Sequence, residues 1–177
     1  MKRIVPGVLV LALAGCASQT VVEQAAEPGT AQPEVVPVGD AGRKVGVPRP
    51  GEPAPDFVVV DPEGRELRLA NFAGKVLILD FWATWCGPCI QAMPHNDAIY
   101  KRYSDQGVVL LAVCSNDTRE SYDGWVGRNR KRYSFLTAFD PAGRDYESSF
   151  VKNAYGVTGF PTLFVIGRDG RLVGMAS

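Results

Sequence analysis

Cys86 and Cys89 stand two residues apart, with Gly87-Pro88 between them and Trp85 in front. Thiols at this spacing can cycle between a dithiol and a small disulfide ring. If Cys86 lies at the first turn of a helix, its sulfur sits beside backbone N–H groups that lack an intrahelical partner. It also meets the positive end of the helix dipole, and both effects favour the thiolate. Cys89, one turn along, falls on the same side and within bonding reach. Pro88 lacks an N–H, which costs nothing in a first turn. Two other uses of such a pair are a zinc half-site and a structural bridge. Zinc needs four ligands, and the chain offers only Cys16, Cys114 and His95 besides the pair. A bridge across so short a loop constrains the unfolded chain little. Redox chemistry is the leading reading.

The apolar run Lys75-Val76-Leu77-Ile78-Leu79-Asp80-Phe81-Trp82 before the pair has the character of a strand buried on both faces. Asp80 interrupts it. A carboxylate in a core strand is costly to ionise, so a raised pKa is expected. Such a group suits the role of proton acceptor for a buried thiol, since only the thiolate attacks a disulfide. The alternative is an ordinary strand-end aspartate in contact with water. The position of Asp80, six residues before Cys86, favours the functional role.

The segment Asp80-Phe81-Trp82-Ala83-Thr84-Trp85-Cys86-Gly87-Pro88-Cys89 resembles the active-site segment of thioredoxins, including their buried aspartate. Gly159-Phe160-Pro161-Thr162 resembles the family's second signature, a cis-proline loop that faces the dithiol. Pro94 matches the proline that kinks the active-site helix. GEPAPDF (51–57), Asn71-Phe72-Ala73-Gly74-Lys75, Met93-Pro94 and Phe164-Val165-Ile166-Gly167-Arg168-Asp169-Gly170 read like the TlpA/ResA-like branch, membrane-tethered bacterial thiol-disulfide oxidoreductases. The resemblance covers roughly residues 51–174. It implies a thioredoxin fold, a nucleophilic Cys86, a resolving Cys89 and Asp80 as proton acceptor, with no cofactor. It also implies a cis bond at Pro161, next to which a client chain pairs by strand addition. Phe160 would supply those contacts and narrow the groove; a plain core phenylalanine is the alternative. Trp82, Trp85 and Pro161 would shape the apolar surface around the sulfurs, with Trp85 covering the site.

Lys2 and Arg3 precede an apolar stretch, Ile4 to Ala14, too short for a permanent membrane span. Leu13-Ala14-Gly15-Cys16 resembles the bacterial lipoprotein box, which implies a signal peptide over 1–15 and acylation of Cys16. A plain secretory signal is the alternative. Several acyl chains on one residue would anchor the protein stably, facing the periplasm or the cell exterior. Ala17 and Ser18 lack the aspartate associated with inner-membrane retention, a lean toward the outer membrane. Residues 16–50, rich in Ala, Val, Pro, Gly and Gln without a helical or alternating period, read as an anchor and flexible tether. Residues 51–177 then form one domain, large enough for a single core. Cys114 closes the run Val108–Val113 and is expected to act as a small apolar residue. His95 is expected on the surface without a role. A formal net charge of zero argues against nucleic-acid binding. The basic cluster at 128–132 is explained by a solvated helix face.

Strands are expected near 57–60, 66–69, 76–82, 108–114, 135–138, 162–167 and 171–175. Helices are expected near 86–103, 118–133 and 144–155. Asp169-Gly170 signals a hairpin between the last two strands. The pattern predicts an α/β domain, a mixed central sheet with helices on both faces. The stretch from Asn116 to Tyr155 resembles the insertion of the TlpA/ResA-like branch. Two departures stand out. Ala92 occupies a position where many of these proteins carry a glutamate, leaving Asp80 as the group that tunes the thiols. The family also adds a helix after the position of Gly174; without it, apolar hairpin residues are expected to be exposed.

These features predict a membrane-anchored thiol-disulfide oxidoreductase that reduces a disulfide-containing protein client and is recharged by a membrane-side thiol donor. Cytochrome c maturation is one job suggested by the resemblance. The alternatives are a disulfide oxidase or isomerase, a peroxiredoxin-like peroxidase and a non-enzymatic client-binding module. The peroxidase lacks its expected context, with Leu79 and Ala83 at its proline and threonine positions.

Overall fold

The computed structural model describes residues 47–177; the expected signal peptide, Cys16 and most of the expected tether lie outside them. Four β-branched or aliphatic runs build the sheet interior. β3 (Val76–Trp82) pairs in parallel with β4 (Val108–Cys114), which pairs in parallel with β5 (Leu136–Phe139). On the other side β3 pairs antiparallel with β6 (Thr162–Ile166), and β7 (Leu172–Ala176) closes that edge as a hairpin. β1 (Val58–Val60) and β2 (Glu66–Arg68) form the opposite edge, giving the order β2-β1-β5-β4-β3-β6-β7. The expected mixed sheet is thus present, with each strand within about a residue or two of its predicted place. The Asp169-Gly170 turn is closed by a Gly167 N–H to Arg171 C=O bond of 2.7 Å, and Gly170 takes the positive φ of 75° that glycine tolerates.

Successive residues of β3 face opposite sides of the sheet. Leu77, Leu79 and Phe81 join Phe57, Val59, Val113, Tyr155 and Phe164 in one apolar core layer. Trp82 joins Met93, Leu110, Cys114, Trp125, Cys86 and Cys89 in the other. That second layer is covered by α1 (Gly87–Tyr103) and α2 (Arg119–Asn129), while α3 (Phe150–Asn153) packs on the first. α1 contains Pro94. Among the described residues no helix is long and apolar enough to cross a membrane.

Two helix expectations need correction. α2 stops at Asn129 rather than 133: the Asn129 side chain turns back to Trp125 C=O at 2.9 Å, and the chain continues in turns. The helix expected over 144–155 shrinks to Phe150–Asn153. Asp140 captures the Ala142 N–H at 3.0 Å, and Ser149 caps the short helix through Val151 N–H at 3.1 Å. Side chains that bond nearby backbone in this way compete with helix formation. Val173 and Met175 on β7 are exposed.

Candidate active site

β3 ends at Trp82, and the three residues Ala83-Thr84-Trp85 carry the chain to the start of α1 at the carboxyl ends of the parallel strands. Cys86 is the N-cap of α1, not its first helical residue. Its Sγ accepts the Cys89 backbone N–H at 3.3 Å, so the sulfur takes the place that a serine or aspartate oxygen fills at most helix starts. A thiolate there gains from the helix dipole and from that N–H. Cys86 and Cys89 form a disulfide with Cα atoms 5.3 Å apart. Both are buried, and Trp85 beside them is 58% exposed.

The Phe160-Pro161 peptide bond is cis. Thr162 pairs with Phe81 in the antiparallel β3–β6 register, so the proline falls opposite the end of β3, next to the Ala83–Trp85 loop. The Phe160 ring lies 5.9 Å from that of Trp85 and 6.0 Å, edge-on, from that of Tyr146. Phe160 is half-buried and touches both core layers, so it is at once a core residue and part of the aromatic rim. Trp82, expected at the client-facing surface, is instead fully buried and packs against Trp125, the rings tilted by 57° with centroids 4.6 Å apart. β-strand alternation turns it inward, so it supports the sulfurs from below.

Asp80 is 3% exposed. Burial pushes its carboxyl up to about 7, opposed by one hydrogen bond from Asn96 Nδ2 at 2.9 Å. A carboxyl poised near neutrality can both take and return a proton under physiological conditions. Cys114 is buried, and its thiol is pushed up by burial and by the charge of Asp117. It is a packing residue. His95 is exposed.

Besides Asn96, four contributors were not legible in the sequence: Asp117, Asn116, Asp140 and Tyr146. Asp117 is buried and accepts both the Thr84 N–H at 2.7 Å and the Thr84 hydroxyl at 2.6 Å. Next to it, Asn116 adopts a φ of 53° and offers its C=O to the Trp85 indole N–H at 3.0 Å. The β4–α2 loop therefore clamps the loop that presents Cys86. Asp140, also buried, accepts from Ser115 at 2.8 Å and Ser149 at 2.5 Å, tying the ends of β4 and β5 to α3. Tyr146, supporting Phe160, is held by its hydroxyl to Val157 C=O at 2.7 Å. The Asn-Asp-Thr run at 116–118 is a helix-start signal. Nothing in it announces contact with Thr84, which lies thirty-three residues away.

The Redoxin family profile matches residues 49–176. The thiol-disulfide oxidoreductase ResA of Geobacillus thermodenitrificans is 40% identical over 122 residues, covering 69% of this chain and 66% of the relative. ResA of Bacillus thuringiensis subsp. konkukian is 36% identical over 125 residues, 70% of this chain and 66% of that protein. The chain thus spans just under two thirds of the length of these relatives. Among solved structures, the thiol:disulfide interchange protein DsbE from Chlorobium tepidum superposes with a TM-score of 0.63 at 32% identity, over 72% of this chain and 84% of that one. A thioredoxin-like sheet with a capped dithiol and a facing cis-proline agrees with these likenesses, and the chain belongs to the Redoxin family, in its TlpA/ResA-like branch of thioredoxin-fold thiol-disulfide oxidoreductases.

Proposed function

We propose that the protein reduces disulfides of client proteins by dithiol exchange at Cys86 and Cys89, while held at the cell envelope by lipidated Cys16 and the tether that follows. The observation that carries the reading is the bonded pair with Cys86 Sγ as the cap of α1, beside the Phe160–cis-Pro161 loop. In the reduced enzyme the Cys86 thiolate attacks a client disulfide; one client sulfur leaves as thiolate and the other remains bonded to Cys86. Asp80 takes the proton of Cys89. The Cys89 thiolate then attacks Cys86 Sγ, the Cys86–client bond breaks, and the client leaves with two electrons while the enzyme is left oxidised. Trp85, Phe160 and Pro161 receive the client chain; its backbone pairs beside the proline. A thiol donor on the membrane side restores the dithiol.

The Gly-Pro dipeptide and Asp80 resemble reducing thioredoxins more than oxidising enzymes, which favours the reductive direction. The test is turnover of a disulfide protein with a thiol reductant as electron source. Cys86→Ser is expected to abolish it. Cys89→Ser is expected to accumulate a client bonded to Cys86, visible on a non-reducing gel. Full client handling by the double Cys→Ser variant would instead identify a binding module, and peroxide consumption would identify a peroxidase. Palmitate labelling that disappears in Cys16→Ala checks the anchor.

A further inference from the structure

The buried face of α1 is apolar or sulfur-bearing near the redox pair and then meets an amide. Cys89, Met93 and Asn96, at i, i+4 and i+7, are all buried and share the helix face that packs on β3. An apolar residue at position 96 would bury without desolvating a polar group. Asn96, only 5% exposed, instead donates Nδ2–H to Oδ2 of Asp80 at 2.9 Å. The other oxygen, Oδ1, is buried and has no hydrogen-bond partner among the described residues. The two oxygens of one carboxyl group thus have different surroundings.

With Cys86 and Cys89 joined, burial and the Asn96 amide are what act on Asp80 among the described residues. In register beside it stand Ala112 of β4 and Leu163 of β6, with Ile78 and Trp82 on its own strand. The titratable groups on the surrounding elements are engaged elsewhere. Asp97 of α1 is bound by Lys101 at 2.6 Å and by the Ser134 N–H at 2.7 Å. Cys114 of β4 turns to Asp117, and Tyr122 of α2 meets Thr137 at 3.0 Å.

We propose that Asn96 is a positioning residue of the redox site: its amide holds Oδ2 of Asp80, leaves Oδ1 as the atom that receives the Cys89 proton, and sets the pH at which that proton is released. The inference rests on Asp80 acting as proton acceptor. With the client bonded to Cys86, the Cys89 Sγ proton passes to Oδ1. The Cys89–Cys86 bond forms as the Cys86–client bond breaks, and the departing client thiolate takes up the proton that Oδ1 gives back. A donor on Oδ2 favours the ionised carboxylate, which is the form able to accept. Without it Asp80 stays protonated to higher pH and accepts less often near neutrality.

The test uses the full-length reduced protein with carbon-13 in its aspartate carboxyl groups. Asn96→Leu preserves side-chain volume and removes the donor. The Asp80 midpoint is expected to rise by about one pH unit or more, and the pH profile of client release from Cys86 to move with it. A midpoint that stays in place, or slower release at every pH without displacement of the profile, overturns the proposal. If Asn96→Leu does not fold, the wild-type protein decides: the Asn96 side-chain amide signals must titrate with the Asp80 midpoint, and their failure to do so overturns it. Asp80→Asn separates the two readings. Client release with unchanged rate and pH dependence in that variant removes Asp80 as acceptor, and Asn96 with it. Release slowed about 100-fold in Asp80→Asn, with an unmoved midpoint in Asn96→Leu, removes only the role of Asn96.

Discussion

At the scale of single residues, Asp80 shows function working against stability. An aspartate ionises at 3.8 when unperturbed, whereas this buried one does so at about 7. Between those values the native state binds more protons than the unfolded chain, so the contribution of Asp80 to stability falls as pH rises through that window. Above it the cost levels off at roughly 4 kcal/mol. Urea unfolding is therefore expected to show Asp80→Asn more stable than the wild type at pH 8 by a few kcal/mol, and nearly equal to it at pH 4. The same substitution is expected to slow client release about 100-fold. Equal stability at both pH values would mean that Asp80 is solvated. The aspartate was legible as an interruption of an apolar strand, because a period-2 or continuous apolar run leaves little room for a charge. Its partner Asn96 was not, since a polar residue on a helix carries no sign of which face will be buried.

At the scale of elements, the clamp between the β4–α2 loop and the Thr84-Trp85 loop decides where Cys86 is presented. Asp117→Ala removes both Thr84 bonds and leaves the Thr84 N–H without its acceptor. A loss of about 2 kcal/mol is expected in urea unfolding, with the Trp85 signal of fluorotryptophan-labelled protein broadened and that of Trp125 unchanged. A sharp, unmoved Trp85 signal would show that the Asn116 carbonyl alone fixes the indole. On the facing loop, Phe160→Ala is expected to raise KM for a protein client about fivefold, as a lost contact of about 1 kcal/mol does, with kcat nearly kept; a fall in kcat alone would contradict a client-contact role. Sequence pattern located the seven strands of the described residues because Val, Leu and Ile runs such as 76–82 and 108–114 have one plausible state in a buried sheet. It overextended the helices around 130–133 and 144–149, where Asn129, Asp140 and Ser149 spend their side chains on local backbone. Those bonds depend on tertiary placement, which spacing does not encode. Trp82 was assigned to the surface for the related reason that proximity to a motif in sequence does not tell which face of a strand a residue takes.

At the scale of the whole molecule, the mixed sheet brings together residues from distant parts of the chain: Cys86 and Cys89 from the start of α1, Asp80 from β3, and the cis-Pro161 loop from before β6. The pair and the two family motifs were readable because their chemistry is local; the network that steadies them is not. The most direct measurement is the reduction potential of Cys86–Cys89 in the full-length protein, equilibrated with dithiothreitol and glutathione buffers. A reversible two-electron couple near about −270 mV is the expected result and fits a reductant that draws electrons from a membrane-side donor. A couple near about −120 mV would contradict it and point to disulfide formation, and the absence of any reversible couple would remove thiol exchange as the activity.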